Sequence, residues 1–178
     1  MTNTDLYSNL KNYNVITYPK SFLGSMGRKT GIYYAGVDDF DLIYPQFDTS
    51  FVYENSSLEK GLNLTGRFEE ALLATPVLRN NASPFDKDLY MLYLYGNPAF
   101  AHIKNNKNPN GLKICIIKDS YAVPFAAFAS LRCSDIYMLD PRFYQGNMED
   151  FINSTKLDYV LIMYAPDNLA DEFFPFGK

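Results

Sequence analysis

Apolar positions are spread unevenly along the chain, and the unevenness divides it. From Gly111 onward, three short apolar runs, 112–117, 135–139 and 158–163, alternate with two stretches of helix-forming character. The first run is β-branched and apolar at nearly every position, which is what a strand buried on both faces of a parallel sheet requires. Residues 121–131 are rich in Ala and Phe, with Pro124 in the first turn where its missing N–H costs nothing, so a helix starts near Ser120. Asn147 is placed to cap a second helix, with Glu149 and Asp150 in its first turn and its end near Thr155. Strand, helix, strand, helix, strand within about 50 residues predicts a βαβαβ unit, whose parallel strands need right-handed crossovers.

Before Gly111 the pattern is different. Short aromatic segments are punctuated by Gly24, Gly27, Gly31 and Gly36, and residues 40–44 and 50–53 alternate in the strand period around Pro45. Those two segments predict an antiparallel pair joined by a turn. Residues 55–66 are small and polar, a loop; residues 68–74 carry helix formers before Pro76 stops them. Residues 1–110 thus predict a β-rich, irregular portion, and 111–178 a βαβαβ core, within one domain spanning 1–178.

Composition narrows the function. The chain has 16 Lys+Arg against 20 Asp+Glu, a net charge of −4, so it lacks the basic footprint of a nucleic-acid binder. No apolar run approaches the ~18 residues that span a bilayer, so no membrane insertion by this chain is expected. Two cysteines and one histidine make no four-ligand zinc set, and neither a metal nor a cofactor is expected. Fifteen Tyr and 14 Phe with no Trp suit a tyrosine-rich sheet surface or a sugar-facing groove.

In an open parallel sheet, ligands bind beyond the carboxyl ends of the strands. Three loops converge there: 119–121, 140–142 and 164–168. Ser120 lies between a strand end and a helix start, where its hydroxyl is presented at the rim and its own N–H points at an incoming oxyanion. That position suits a nucleophile in acyl transfer; equally, Ser and Asp are favoured helix caps with no catalysis at all. Arg142 offers a planar fork for a carboxylate, phosphate or sugar hydroxyl, or serves as an ordinary ion-pair partner. Tyr164 and Asn168 can line the same cleft, as a stacking face and a hydrogen-bond donor, or be a strand-end aromatic and a turn residue. A serine nucleophile needs a base. The single histidine, His102, is 18 residues before Ser120 and reaches it only if the fold carries that loop to the same edge.

Residues 113–122, containing Asp119-Ser120, resemble the DHHW-type branch of SGNH-hydrolase-like proteins, relatives of the bacterial polysaccharide O-acetylation proteins. The resemblance runs from about residue 15 to 178 and includes 22–34, 41–45, Gly96-Asn97, Asp140-Pro141-Arg142 and the strand 160–164. It implies a flavodoxin-like three-layer α/β/α fold with a parallel sheet, Ser120 as the acyl-accepting nucleophile, and Asp119 shaping the turn. Tyr121, Arg142, Tyr164 and Asn168 fall to oxyanion or substrate-binding roles. The segment 164–168 sits where SGNH proteins carry a Gly-x-Asn-Asp block but reads Tyr-Ala-Pro-Asp-Asn. The branch also carries an Asp-x-His dyad upstream of the serine, inside an Asp-His-His-Trp motif that does not occur here. The expectation is therefore an N-terminally truncated version of the family pattern, with Ser120 present and its base missing.

What the resemblance implies is a serine esterase or O-acetyltransferase domain acting on an acylated cell-envelope glycan, extracellular or in the envelope, with envelope partner proteins. A second reading is a glycan-binding or scaffold module that kept the fold and lost the chemistry. A third is an anion-binding domain using Lys118, Arg142 and the helix start after Ser120.

Overall fold

The computed structural model describes residues 3–56, 61–79, 83, 86 and 88–165. The middle of its three parallel strands is β6 (Leu112–Lys118), which pairs with β7 (Cys133–Leu139) on one side and β8 (Tyr159–Met163) on the other. Helix α5 (Ala122–Ala129) carries the chain from β6 to β7, and α6 (Met148–Ser154) carries it from β7 back past β6 to β8. Two right-handed crossovers running in opposite directions leave their helices on opposite faces of the sheet. The side chains of β6 alternate to match: Ile114 and Ile116 join the cluster that holds Ala122, Val123, Ala126 and Ala127 of α5. Cys115 and Ile117 join the cluster that holds Met148, Phe151 and Ile152 of α6. The Asn147 cap forms as its sequence predicts, Oδ1 accepting from the Asp150 N–H at 3.1 Å.

The sheet is not parallel throughout. On its far side β5 (Phe100–Asn105) runs antiparallel to β7, β3 (Phe51–Asn55) antiparallel to β5, and β4 (Leu62–Gly66) antiparallel to β3, giving the order β4-β3-β5-β7-β6-β8. The short link between β3 and β4 can only reverse direction, because parallel neighbours need a crossover of a dozen or more residues. The fold is thus a mixed α/β sheet of six strands, with parallel strands only where helices intervene.

The expected pairing of 40–44 with 50–53 does not occur. Residues 40–44 lie in β2 (Asp38–Pro45), which pairs with β1 (Tyr13–Phe22) as a separate two-stranded sheet, while 51–53 belong to β3. Alternation fixes which face a strand buries, not which strand it meets, and β1 satisfies β2 equally well. The helix expected over 68–74 stops early, as α4 (Phe68–Ala71). Leu72 and Ala74 instead exchange backbone hydrogen bonds with 92–94: Ala74 N to Leu92 O and Leu94 N to Leu72 O, both 2.8 Å. Leu72, Leu73, Leu92 and Leu94 are all buried there, so core packing overrides helix propensity.

Two further helices, α2 (Ser25–Thr30) and α3 (Ile32–Ala35), bury no residue of their own; α1 (Asn3–Ser8) precedes β1. No helix among the described residues is long and apolar enough to cross a membrane.

Candidate active site

The carboxyl ends of the three parallel strands fall at Lys118, Leu139 and Met163. Above them, the turn after β6 is tied down by Asp119, which is fully buried. Its N–H donates to Met163 O at 3.2 Å, while its carboxylate accepts from Tyr121 N at 2.8 Å and from Ala165 N at 2.6 Å. One short side chain therefore stitches the β6 exit to the β8 exit. Ser120 sits at the apex, its carbonyl taking the Val123 N–H at 3.2 Å as α5 begins. Tyr121 stands mostly exposed, with its carbonyl accepting from the Tyr90 hydroxyl at 3.1 Å. The Ser120 Oγ has no hydrogen bond to any described residue. Ser120 and Tyr121 line a cavity of about 420 Å³, bordered also by the entry to α2 and by the single helical turn Leu89–Leu92.

Beneath the rim lies a buried charge cluster. Lys118 is fully buried, and its Nζ donates to Asn97 Oδ1 and to Pro98 O at 2.6 Å each, with Asp140 Oδ2 at 3.5 Å. Asp140, also fully buried, receives Arg142 Nε at 2.8 Å and Nη2 at 2.7 Å, a two-pronged pair, and Asn97 Nδ2 at 3.0 Å. Because an ammonium only donates and a carboxylate only accepts, these neighbours fix which way the Asn97 amide points. Burial pushes the Lys118 ammonium down to about 8, against the charge of Asp140, which holds it up. Burial pushes the Asp140 carboxyl up, but the Arg142 hydrogen bonds and the Lys118 charge outweigh it and hold the group below the ordinary carboxylate value. Burial first, then the Asp140 charge, raises the Tyr164 hydroxyl well above its usual range.

These contacts sort the expected site residues. Ser120, Asp119 and Tyr121 come together as the sequence predicts, and Arg142 and Tyr164 gather at the same rim. Arg142, however, spends the Nε and Nη2 edge of its fork on Asp140 rather than holding it open to a ligand. Lys118 is enclosed, so the anion site expected from Lys118, Arg142 and the start of α5 does not form; a cation packed between a carboxylate and two carbonyl-type oxygens has no face left for phosphate. Asn168 lies outside the described residues.

His102 is not brought to Ser120. It sits inside β5 opposite Tyr137 of β7, which in turn lies beside Cys115 of β6, two strands across and five residues short of Ser120. The rise per residue and the strand spacing put that separation at roughly 19 Å. Its ring stacks on Tyr137 at 4.3 Å, Nε2 meets Asp135 Oδ1 at 2.9 Å, and Nδ1 faces Glu54 Oε2 at 3.6 Å. That is a histidine satisfied by its own sheet.

Sequence reading missed how much of the site comes from the first 110 residues. Since β5 enters antiparallel to β7, the residues before it arrive at the same rim, where Asp140 N donates to Ala99 O at 2.9 Å and Asn97 meets Lys118. The Gly96-Asn97 pair after an aromatic run was the available signal. Arg28 of α2, inside the 22–34 stretch, pairs with Asp88 at 2.8 Å across the cavity wall, and Asp88 carried no signal. Among the described residues no three His, Cys, Asp or Glu side chains gather as a metal site.

No family model matches the chain, and no curated protein matches it in sequence. Solved structures do match in fold. A DHHW family protein from Eubacterium siraeum superposes with a TM-score of 0.64 at 21% identity, over 89% of this chain and 49% of that one. Bacillus cereus PatB1 carrying a sulfonyl adduct superposes with a TM-score of 0.66 at 18% identity, over 95% and 52%. PatB1 without that label gives 0.62 at 18%, over 96% and 58%. At these identities the likeness is one of fold, and the chain spans about half the length of the structures it matches.

Proposed function

We propose that this chain is the serine-bearing part of a DHHW-type, SGNH-hydrolase-like acyl-transfer domain, with α5 and α6 as the outer layers of a three-layer arrangement, acting on an acylated cell-envelope glycan. The observation that carries this reading is the Ser120 turn: a hydroxyl lining a cavity at the end of the middle one of the three parallel strands, on a loop over-secured by Asp119. The PatB1 neighbour with a sulfonyl adduct adds support, since sulfonyl groups are captured by nucleophilic oxygens.

In this reading Ser120 Oγ attacks the acyl carbonyl carbon and yields its proton to a base. The carbonyl oxygen becomes the oxyanion, met by the Ser120 N–H. Collapse expels the sugar oxygen, which takes the proton, and leaves acyl-Ser120 for a second hydroxyl or water to accept. Tyr164 flanks the bound glycan, and Arg142 acts through Asp140 as a positioning residue. The base comes from outside this sequence, because its only imidazole is held at His102. The chain alone therefore hydrolyses esters slower by several orders of magnitude than a complete site.

Chemical rescue tests this. With p-nitrophenyl acetate, added imidazole is expected to raise hydrolysis by this chain in proportion to its concentration, and Ser120→Ala to abolish that increment. An increment unchanged in Ser120→Ala removes Ser120 as the nucleophile. The same missing base favours a second reading, a glycan-binding or scaffold module without chemistry; it predicts that Ser120→Ala keeps full glycan affinity while Tyr164→Ala weakens it.

A further inference from the structure

The cavity beside Ser120 has a character of its own. Its volume, about 420 Å³, lies within the range of small-molecule pockets. At roughly 30 Å³ per water-sized group it has room for about fourteen such groups, far more than an acetyl fills. Its walls are Phe22, Met26, Tyr90, Met91 and Tyr121. Most of its polar residues are already engaged. Arg28 Nη2 pairs with Asp88 Oδ2 at 2.8 Å, and Asp88 Oδ1 accepts from Tyr90 N at 3.1 Å. The Tyr90 hydroxyl donates to Tyr121 O, and the Asn97 amide is held between Lys118 and Asp140. Ser25 and Ser120 remain as hydroxyls with no hydrogen bond to a described residue. A sugar ring here would bring more hydroxyls than these few remaining groups can pair, and each hydroxyl left unpaired carries a desolvation cost.

Gly96 helps shape the apolar wall. It adopts a φ of +104°, and a Cβ there would stand 2.7 Å from the Met91 methyl. Methionine at two walls suits an adaptable apolar guest, because its unbranched thioether repacks at low cost. Building on the acyl-transfer reading of Ser120, we infer that this cavity is an acyl-chain site, taking the apolar part of an ester whose chain runs well beyond acetyl, with the sugar outside it.

The six methionines of the chain supply the test. In protein with ¹³C-labelled methionine methyls, Met26 and Met91 report the cavity, while Met138 is buried in the core and serves as the silent control. Methyl butanoate, hexanoate and octanoate are titrated into the wild type and into Ser120→Ala, where hydrolysis cannot interfere, with N-acetylglucosamine as the sugar. Saturable shifts at Met26 and Met91 are expected for the esters, tightening about fourfold per added methylene until the cavity fills. Met26→Glu, at a position 60% exposed, keeps the melting temperature and weakens hexanoate binding about tenfold, read at Met91. Shifts that ignore chain length, or that appear only with N-acetylglucosamine, overturn the inference.

Intact-mass detection of hexanoyl-Ser120 from p-nitrophenyl hexanoate separates the two claims. Chain-length-dependent shifts without that adduct keep the acyl-chain site and remove the acyl-transfer reading. The adduct without chain-length dependence does the reverse.

Discussion

Two layers of the same rim obey opposite rules. Below, Lys118, Asp140 and Arg142, with the Asn97 amide, form a set in which every charged group meets a partner and the Lys118 and Asp140 side chains are fully buried. Above, one residue further along the chain than Asp119, the Ser120 hydroxyl faces a cavity with no partner among the described residues. Buried charges tolerate no such freedom, because an ion left without a counter-ion costs several kcal/mol. A hydroxyl at a cavity wall costs little, and only an unengaged hydroxyl is available to react. The lower layer holds the loop still, so that the upper one stays unsatisfied in a defined place.

The largest test of that contrast is Asp140→Ala. It strands Lys118 and Arg142 together without their carboxylate and is expected to cost about 3–5 kcal/mol, or about 10 °C in melting temperature by circular dichroism. A loss under 1 °C would mean the cluster supports nothing. Asp119→Ala comes next, at about 2 kcal/mol, because the Tyr121 and Ala165 amides lose their acceptor. Hydrogen exchange at those two amides should rise in that variant and not in Ser120→Ala.

The pH dependence has a definite sign on each side. Asp140 is held below 3.8 in the folded protein, so its contribution is fully present above that value and drains away as pH falls through the lowered one. Asp140→Asn should lack that acid-limb loss. Lys118 is lowered from 10.5 to about 8, so its buried charge costs stability below pH 8, and the cost is relieved as pH rises from 8 towards 10.5. Urea titrations across that window should show the wild type gaining on Lys118→Met. The smallest expected effect is Ser120→Ala itself, within about 0.5 kcal/mol of wild type. His102→Gln should leave Ser120 reactivity unchanged, since His102 serves Asp135 and Glu54.

The parallel part of the fold was legible in the sequence for a local reason. Residues 112–117, Pro124 and Asn147 each carry a signal set by near neighbours, and the structure places β6, α5 and the α6 cap accordingly. The Ser120 turn followed from the same signals. The antiparallel additions were not legible, because β2 and β5 alternate in a way that names their buried face and leaves their partner open. That gap hid Asn97, whose arrival beside Lys118 depends on β5 running against β7. It also hid the cavity, since Met26 and Ser120 are far apart in sequence and meet only across its walls. His102 shows the converse: a lone imidazole invites a catalytic role that β-sheet register then denies.

On the proposed reading, Ser120 is a placed nucleophile lacking only a proton acceptor. Peptide mapping after exposure to an aryl sulfonyl fluoride, across a series of imidazole concentrations, decides whether it is. A single adduct on Ser120 is expected, slow without imidazole and accelerating as imidazole is raised. Modification scattered over exposed tyrosines and lysines, with Ser120 untouched at every concentration, would contradict it.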